Sequence, residues 1–426
     1  MHETGAHRII VDLTRVLPGG ANGGAKAFTL SLLPRLSRGS TDFRFTLLSA
    51  ASSHSEIMRL RGPNMDVLCV GGDDVGSAGG PGAWKEGVAS MLPAPLLAPV
   101  SRAYRELLHV ARRSLLHRLR ADLLFCPFTA PTYYERHVPC VTLIYDLQHA
   151  RFPEFFSPAD RSQRERSVRT ACRRSRTIIC PSEFVKQTIL EYGLASPDRV
   201  VVVPIGVTAI ATDDVHADAH ALEGPPLPEG NYLLYPANFW PHKNHLNLFK
   251  AFRSYIEIRR ESKLKLVCTG APNEEARMLE KWIGEHGLTD RIVMPGFVPA
   301  TSLHRYFQYC LALIYPSLYE GYGMPLVEAM QFGKPMAASR VASLPEVGGD
   351  SVLWFDPNDT CQITSAIDQL ENNKPLRLEL SRKATSRLAS INTIDETAHG
   401  YLEVFRRALQ GKRRTTRQQV AAAARS

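Results

Sequence analysis

The densest chemistry in the sequence lies in one stretch, Tyr315-Pro316-Ser317-Leu318-Tyr319-Glu320-Gly321-Tyr322-Gly323-Met324-Pro325-Leu326-Val327-Glu328-Ala329-Met330. A strand-like apolar run passes through a glycine-rich turn into a helix with proline near its first turn. Free N–H groups at such a helix start attract an anion, and the helix dipole adds to the attraction. Glycines let a phosphate approach the backbone closely. Gly321, Tyr322, Gly323, Met324 and Pro325 are therefore candidate contacts for a phosphorylated ligand. Glu320 precedes the helix and Glu328 lies about a turn inside it. One carboxylate then faces the mouth of a cleft, and the other sits deeper, where a ribose would present its two hydroxyls. A glycine turn before a helix is common. Two carboxylates so placed around Gly-Tyr-Gly-Met-Pro say more than helix capping does.

Three further segments carry polar groups at places where a strand should end. Leu17-Pro18-Gly19-Gly20-Ala21-Asn22-Gly23-Gly24-Ala25-Lys26 opens a helix after the first strand and is a second candidate anion cradle. Leu143-Ile144-Tyr145-Asp146-Leu147-Gln148-His149 leaves a strand with polar side chains where an α/β lobe has its ligand crevice. Asn238-Phe239-Trp240-Pro241-His242-Lys243-Asn244-His245 places a lysine after another strand. The pair His242 and His245 has no carboxylate near it in sequence, so it is poor evidence for a metal site. Ser182, before Glu183-Phe184-Val185, reads first as a helix N-cap.

The elements that must hold these segments alternate with the rhythm of βαβ units, which predicts parallel sheets. Strands are expected at Arg8–Asp12, Phe45–Leu48, Val67–Val70, Leu123–Phe125, Val141–Ile144, Thr177–Cys180 and Val200–Val203. After a Pro- and acid-rich passage, Thr212 to Asn231, the rhythm restarts. It predicts strands at Tyr232–Pro236, Leu264–Thr269, Arg291–Met294, Leu311–Tyr315, Pro335–Ala338 and Val352–Phe355, and only helices from Pro375 onward. At 426 residues the chain suits two domains of roughly 200 residues each. The expected division is a first lobe at 1–211, a linker at 212–230, a second lobe at 231–394, and a helix with a basic tail at 395–426. The Gly/Ser/Pro-rich stretch from Gly71 to Pro95 reads as a long loop.

These segments together resemble the E-x7-E motif and its surroundings in retaining GT-B glycosyltransferases, and the whole chain resembles glycosyltransferase family 4. The resemblance extends to Pro204-Ile205-Gly206-Val207 and Leu344-Pro345-Glu346-Val347-Gly348-Gly349. It implies an α/β GT-B fold: two Rossmann-like, doubly wound lobes facing a cleft, closed by C-terminal helices. It implies that Glu328 binds the donor ribose, that Glu320 faces the sugar hydroxyls near the reacting carbon, and that Lys243 is the diphosphate cation. Breaking a glycosyl–phosphate bond builds charge on the departing diphosphate, so a fixed cation there is also physically required. The family's loop carries an Arg several residues before the Lys, and Asn238 stands near that place. Gly23 and Gly24 match the family's glycine pair. Many relatives read His-Asp-Leu where this chain reads Tyr145-Asp146-Leu147. The histidine's role therefore does not carry over to Tyr145, which is kept as an acceptor or sugar contact. Asp146 is expected to hold acceptor or sugar hydroxyls as part of the catalytic group, with His149 orienting them. Asp146-Leu147-Gln148-His149 resembles a bacterial subgroup associated with mannosyl transfer, which points to GDP-mannose as donor and a glycan or lipid-linked acceptor. No metal or other cofactor is expected.

Composition sets outer bounds. No apolar run reaches the roughly 18 residues that a membrane span needs, and the start lacks a signal peptide's charged and apolar regions. Eight cysteines are scattered without CxxC spacing, as reduced core thiols are. A cytoplasmic protein is the expectation. The net charge of +9 is clustered: Arg161, Arg164, Arg166, Arg169, Arg173, Arg174 and Arg176 fall on one expected helix, and Arg102, Arg105, Arg112, Arg113, Arg118 and Arg120 on another. Seven Lys or Arg and no acid lie between Arg406 and Arg425. Such stripes suit an anionic membrane surface or a phosphorylated acceptor. Arg166, Arg169, Arg173 and Arg176 are expected on one helix face. A nucleic-acid-binding role is disfavoured, since no zinc finger, RRM signature or aromatic–basic interleaving is present. A nucleotide-sugar epimerase or a glycosyl phosphorylase on the same fold is the nearer rival, the latter needing much longer lobes.

Overall fold

The computed structural model describes residues 6–18, 22–70, 115–208 and 225–423, with only the backbone course at 300, 301 and 411–423. The expected loop at 71–95, most of the 101–120 stripe, most of the 212–230 linker and Gly19-Gly20-Ala21 lie outside the described residues.

Short aliphatic runs form the strands because they are buried on both faces, as parallel sheets require. In β1 (His7–Leu13) the last five residues are all buried. Beside it run β2 (Phe43–Ser49), β3 (Met65–Cys69), β4 (Leu123–Cys126), β5 (Cys140–Leu143), β6 (Thr177–Cys180) and β7 (Val200–Val202). Their order is β3-β2-β1-β4-β5-β6-β7, with each neighbouring pair parallel. The second sheet contains β8 (Tyr232–Pro236), β9 (Lys265–Thr269), β10 (Ile292–Gly296), β11 (Ala312–Tyr315), β12 (Met336–Ser339) and β13 (Val352–Phe355). It repeats the pattern as β10-β9-β8-β11-β12-β13. Each sheet reverses its strand order beside its first strand, between β1 and β4 and between β8 and β11. At these points connections leave in opposite directions and open a crevice at the strands' C-terminal ends.

The last helix, Ile394–Ala423, follows the second sheet in sequence and returns to the first in space. Tyr401 packs against Phe28 and Phe125, and Phe405 against Phe43 and Phe125, with centroids 5.2–6.4 Å apart. Arg406 donates to both carboxylate oxygens of Asp42 at 2.9 and 3.1 Å. One apolar cluster therefore runs from Ile9 and Phe45 through Leu233 and Leu313 to Tyr401 and Phe405.

The arginine-rich helix spans Pro158–Arg174. Arg176, expected on its face, falls beyond its end, where its N–H bonds to the Cys140 carbonyl at 2.7 Å. Other arginines are engaged nearby: Arg164 lies over Phe156 and Arg174 over Tyr134, each at 4.7 Å, and Arg169 pairs with Glu165. The stripe is partly spent on its own lobe.

Candidate active site

The second lobe's crevice is built where β8 and β11 run side by side, Ala312 opposite Leu233 and Leu313 opposite Leu234. Past β8 the chain makes a tight turn at Pro241–Lys243, closed by Asn244 in the left-handed region at φ 62. Asparagine tolerates that conformation better than most residues. Its side chain also holds the turn, donating to the Pro316 and Pro357 carbonyls at 3.1 and 2.8 Å. Leu318 N–H reaches the His242 carbonyl at 2.7 Å, and the Tyr235 hydroxyl reaches that of Lys243 at 2.6 Å. The loops after the two strands are thus bonded into one platform.

On that platform Lys243 Nζ donates to Glu320 Oε1 at 2.6 Å, and the Tyr315 hydroxyl donates to the same oxygen at 2.7 Å. Both charged side chains are largely buried, 15% and 12% exposed. Burial alone would raise the Glu320 carboxyl, but the Lys243 charge and the hydrogen bonds from Lys243 and the Tyr315 hydroxyl hold it below its ordinary value. His242 and His245 are pushed down to about 3 by burial and then by Lys243, so both are neutral at pH 7. His245 packs between Tyr235 and Phe239, at 4.6 and 4.8 Å, as a core residue.

Glu328 lies on the helix Met324–Gln331, which begins after Gly323 at φ 104. A Cβ at Gly323 would meet Leu344 at 2.5 Å, so glycine is required there on two counts. Among the described residues the Glu328 carboxyl has no hydrogen-bond partner, and burial raises it to about 7. The amides of Gly323 and Met324 are likewise without an acceptor among the described residues. Pro325 sits in the helix's first turn and Tyr322 is buried just before it.

The first lobe closes over this platform. Gly23, at φ 55, brings its turn against Asn238: a Cβ there would lie 3.7 Å from Asn238 Nδ2. Asn238 Oδ1 accepts from Ala271 N–H at 2.9 Å, which leaves the Nδ2 donor directed into the gap between lobes. Gly24 faces open space. Lys26 is buried in the lobe itself, bonded to the Leu17 carbonyl and to Glu56 at 2.8 and 2.7 Å. Gly321 meets the first lobe more closely still, with room for no side chain before the Tyr145 carbonyl, and its own carbonyl accepts from Ser182 Oγ at 2.8 Å. Ser182 also caps its helix through Val185 N–H, so the expected cap is a contact between lobes as well.

Tyr145 departs from its expected part as an acceptor or sugar contact. Its hydroxyl donates to the Ala25 carbonyl at 3.1 Å and lies 3.0 Å from Thr29 Oγ1, inside its own lobe. Asp146 uses Oδ1 to cap a short turn through Gln148 N–H at 3.0 Å, and its other oxygen is without a partner among the described residues. His149 is buried with Nε2 3.3 Å from Glu165. Burial lowers it, with Glu165 and Asp146 pulling the other way. The Tyr315 bond to Glu320 and the Ser182 bond to Gly321 are contacts that sequence spacing did not single out: a strand tyrosine and a cap serine look alike wherever they occur.

Residues 223–387 match the family profile "Glycosyl transferases group 1", and residues 23–209 match "Glycosyltransferase Family 4". The O-antigen chain mannosyltransferase B of Escherichia coli is 29% identical over 271 residues, covering 63% of this chain and 70% of that protein. A serotype-specific mannosyltransferase of the same organism is 27% identical over 246 residues, covering 57% of this chain but only 30% of its own. In fold, the chain resembles Anabaena Alr3699/HepE, solved with UDP and glucose, at a TM-score of 0.65, 15% identity and coverage of 94% and 99%.

Proposed function

Because this chain belongs to the glycosyltransferases of group 1 and family 4, we propose that it moves mannose from GDP-mannose to a hydroxyl of a glycan or lipid-linked acceptor, with retention at the anomeric carbon. The observation that carries the reading is the Lys243–Glu320 pair at the sheet's reversal point, with Glu328, unpartnered among the described residues, on the helix that follows. The choice of mannose is supported by the similarity to the O-antigen chain mannosyltransferase.

In this reading the donor's diphosphate takes Lys243 away from Glu320. Lys243, the Asn238 amide and the free N–H groups of Gly323 and Met324 stabilise the charge that grows as the glycosyl–phosphate bond breaks. The Gly23–Gly24 turn approaches from the other lobe. Glu320, released from its ion pair, accepts from the sugar's hydroxyls. Glu328 accepts from the ribose, and Asp146 offers its free oxygen to the acceptor side with His149 behind it. Charge on the diphosphate is met by side chains and amides without a metal. The basic stripes serve an acceptor held at an anionic membrane surface.

A screen of nucleotide sugars for thermal stabilisation tests the donor: a ligand at about 100 times its Kd adds roughly 2.7 kcal/mol. GDP-mannose should give the largest shift, and transfer to an acceptor in the presence of EDTA should proceed undiminished. A larger shift with a UDP-sugar would overturn the donor, and donor turnover needing no acceptor would favour an epimerase or hydrolase. The anomeric configuration of the product, read by NMR, tests retention.

A further inference from the structure

Glu346 stands in the segment Leu344-Pro345-Glu346-Val347-Gly348-Gly349, which the chemistry above leaves without a task. Its side chain crosses the cleft. Oε1 accepts from Glu183 N–H at 2.8 Å and Oε2 from Phe184 N–H at 3.1 Å. These are the first amides of the helix Glu183–Glu191, which internal bonding leaves free. The next two are met within the first lobe, Val185 N–H by Ser182 Oγ at 3.2 Å and Lys186 N–H by the Ser182 carbonyl at 3.1 Å. Half of this helix's N-terminal cap is therefore supplied by the other lobe, by a carboxylate that the helix dipole also favours.

Both ends of the contact are anchored to the site. Arg387 donates to the Glu346 and Val347 carbonyls at 2.6 and 3.0 Å, which fixes the segment from behind. Ser343, fully buried, donates to the Glu320 carbonyl at 2.9 Å. Ser182, at the start of the capped helix, donates to the Gly321 carbonyl. Two successive peptides of the turn are thus held, the Glu320 carbonyl from one lobe by Ser343 and the Gly321 carbonyl from the other by Ser182, and Glu346 spans the same gap alongside.

We propose that Glu346 is a positioning residue, a latch whose carboxylate holds the two lobes at the separation where the Glu320–Gly321 turn meets the Tyr145–Asp146 turn. Glu346 lies exposed at the edge of the cleft, so water can replace its two bonds and the latch can open. The inference rests on the cleft being the reaction site, and is independent of which sugar is moved.

The molecule carries its own reporter. Of its eight cysteines only Cys69, on the first lobe, and Cys361, on the second, are exposed. Spin labels on these two thiols of the full chain report the separation of the lobes by pulsed EPR, without any nucleotide. Glu346→Ala should raise the ratio of open to closed populations on the order of tenfold, the scale of losing a helix cap. Glu346→Gln, with one carbonyl acceptor left, should fall between Ala and the parent. With donor, KM should rise in the same order, while kcat at saturation changes less than twofold because bound donor closes the lobes. An unchanged distance distribution in Glu346→Ala overturns the proposal, as does a loss confined to kcat. If Glu346→Ala does not fold, Glu346→Gln decides on the same criterion. Should the parent turn over none of the nucleotide sugars, the donor assignment fails while the distance measurement still judges the latch.

Discussion

At the scale of single residues, the site centres on one largely buried ion pair and one raised carboxyl. Lys243 and Glu320 satisfy each other at 2.6 Å in a largely buried setting, where removing one partner strands the other. Lys243→Ala should cut the transfer rate by two or more decades, on the order of 3 kcal/mol of leaving-group stabilisation. Donors with better leaving groups should lose less, and equal losses across donors would make the lysine structural. Glu320→Gln should lower kcat with little change in donor KM. Glu328 has the opposite balance. Its carboxyl, raised to about 7 by burial, offers a ribose two charged acceptor oxygens only when ionised. Donor affinity should therefore strengthen as pH rises from 6 to 8, by less than tenfold per unit because the neutral acid still accepts, and Glu328→Gln should bind more weakly than the ionised parent and flatten that dependence. The same raised carboxyl costs the fold as it ionises. Its contribution is most favourable below about 4.5 and is lost as pH rises through about 7. Glu328→Gln should thus raise the melting temperature more at pH 8 than at pH 5, and equal gains at both would refute the burial argument.

At the scale of elements, the C-terminal helix shows how a late segment completes an early lobe. Tyr401 is fully buried between Phe28, Phe125 and Phe405, yet its hydroxyl has no partner among the described residues. Tyr401→Phe should keep the packing, remove an unsatisfied group and stabilise by about 1–2 kcal/mol. Tyr401→Ala should cost about 3–5 kcal/mol. Denaturant unfolding of both variants checks the pair, and a destabilised Tyr401→Phe would mean that the hydroxyl is satisfied. The strands were readable because parallel sheets need runs buried on both faces: each expected strand overlaps an observed one, from Arg8–Asp12 within β1 to Val352–Phe355 as β13. Helix ends were less legible. Arg176 continued a helical spacing but lies past Arg174, because Ser175 is already extended backbone leading into β6.

At the scale of the whole molecule, the net charge of +9 is the property that bears on where the chain works. Among the described residues no helix is long and apolar enough to cross a membrane. If the basic stripes hold the protein at an anionic surface, it should sediment with anionic vesicles at low salt, each basic residue contributing about 1 kcal/mol at most. Binding should fade toward 1 M salt, where the Debye length falls to about 3 Å. No binding to anionic vesicles at low salt would leave a soluble acceptor as the reading. Arg164, Arg169 and Arg174 already have partners within the lobe, so the pull should be weaker than a bare count of arginines implies.

By itself the sequence determined the residue types at each strand end and hence the two repeated halves, since alternation of short buried runs with amphipathic stretches is a local property. It marked Glu320, Glu328, Lys243 and the Gly23–Gly24 pair for the same reason. Only the tertiary structure decided which of these meet. Lys243 and Glu320 are 77 positions apart and become partners because β8 and β11 are neighbours. Tyr145 is drawn inward because Ala25 and Thr29 stand across from it on another element. Glu346 reaches Glu183 and Phe184, 163 and 162 positions away, across the gap between the lobes. Pairings of this kind depend on strand order and lobe separation, quantities to which no local pattern of residues corresponds.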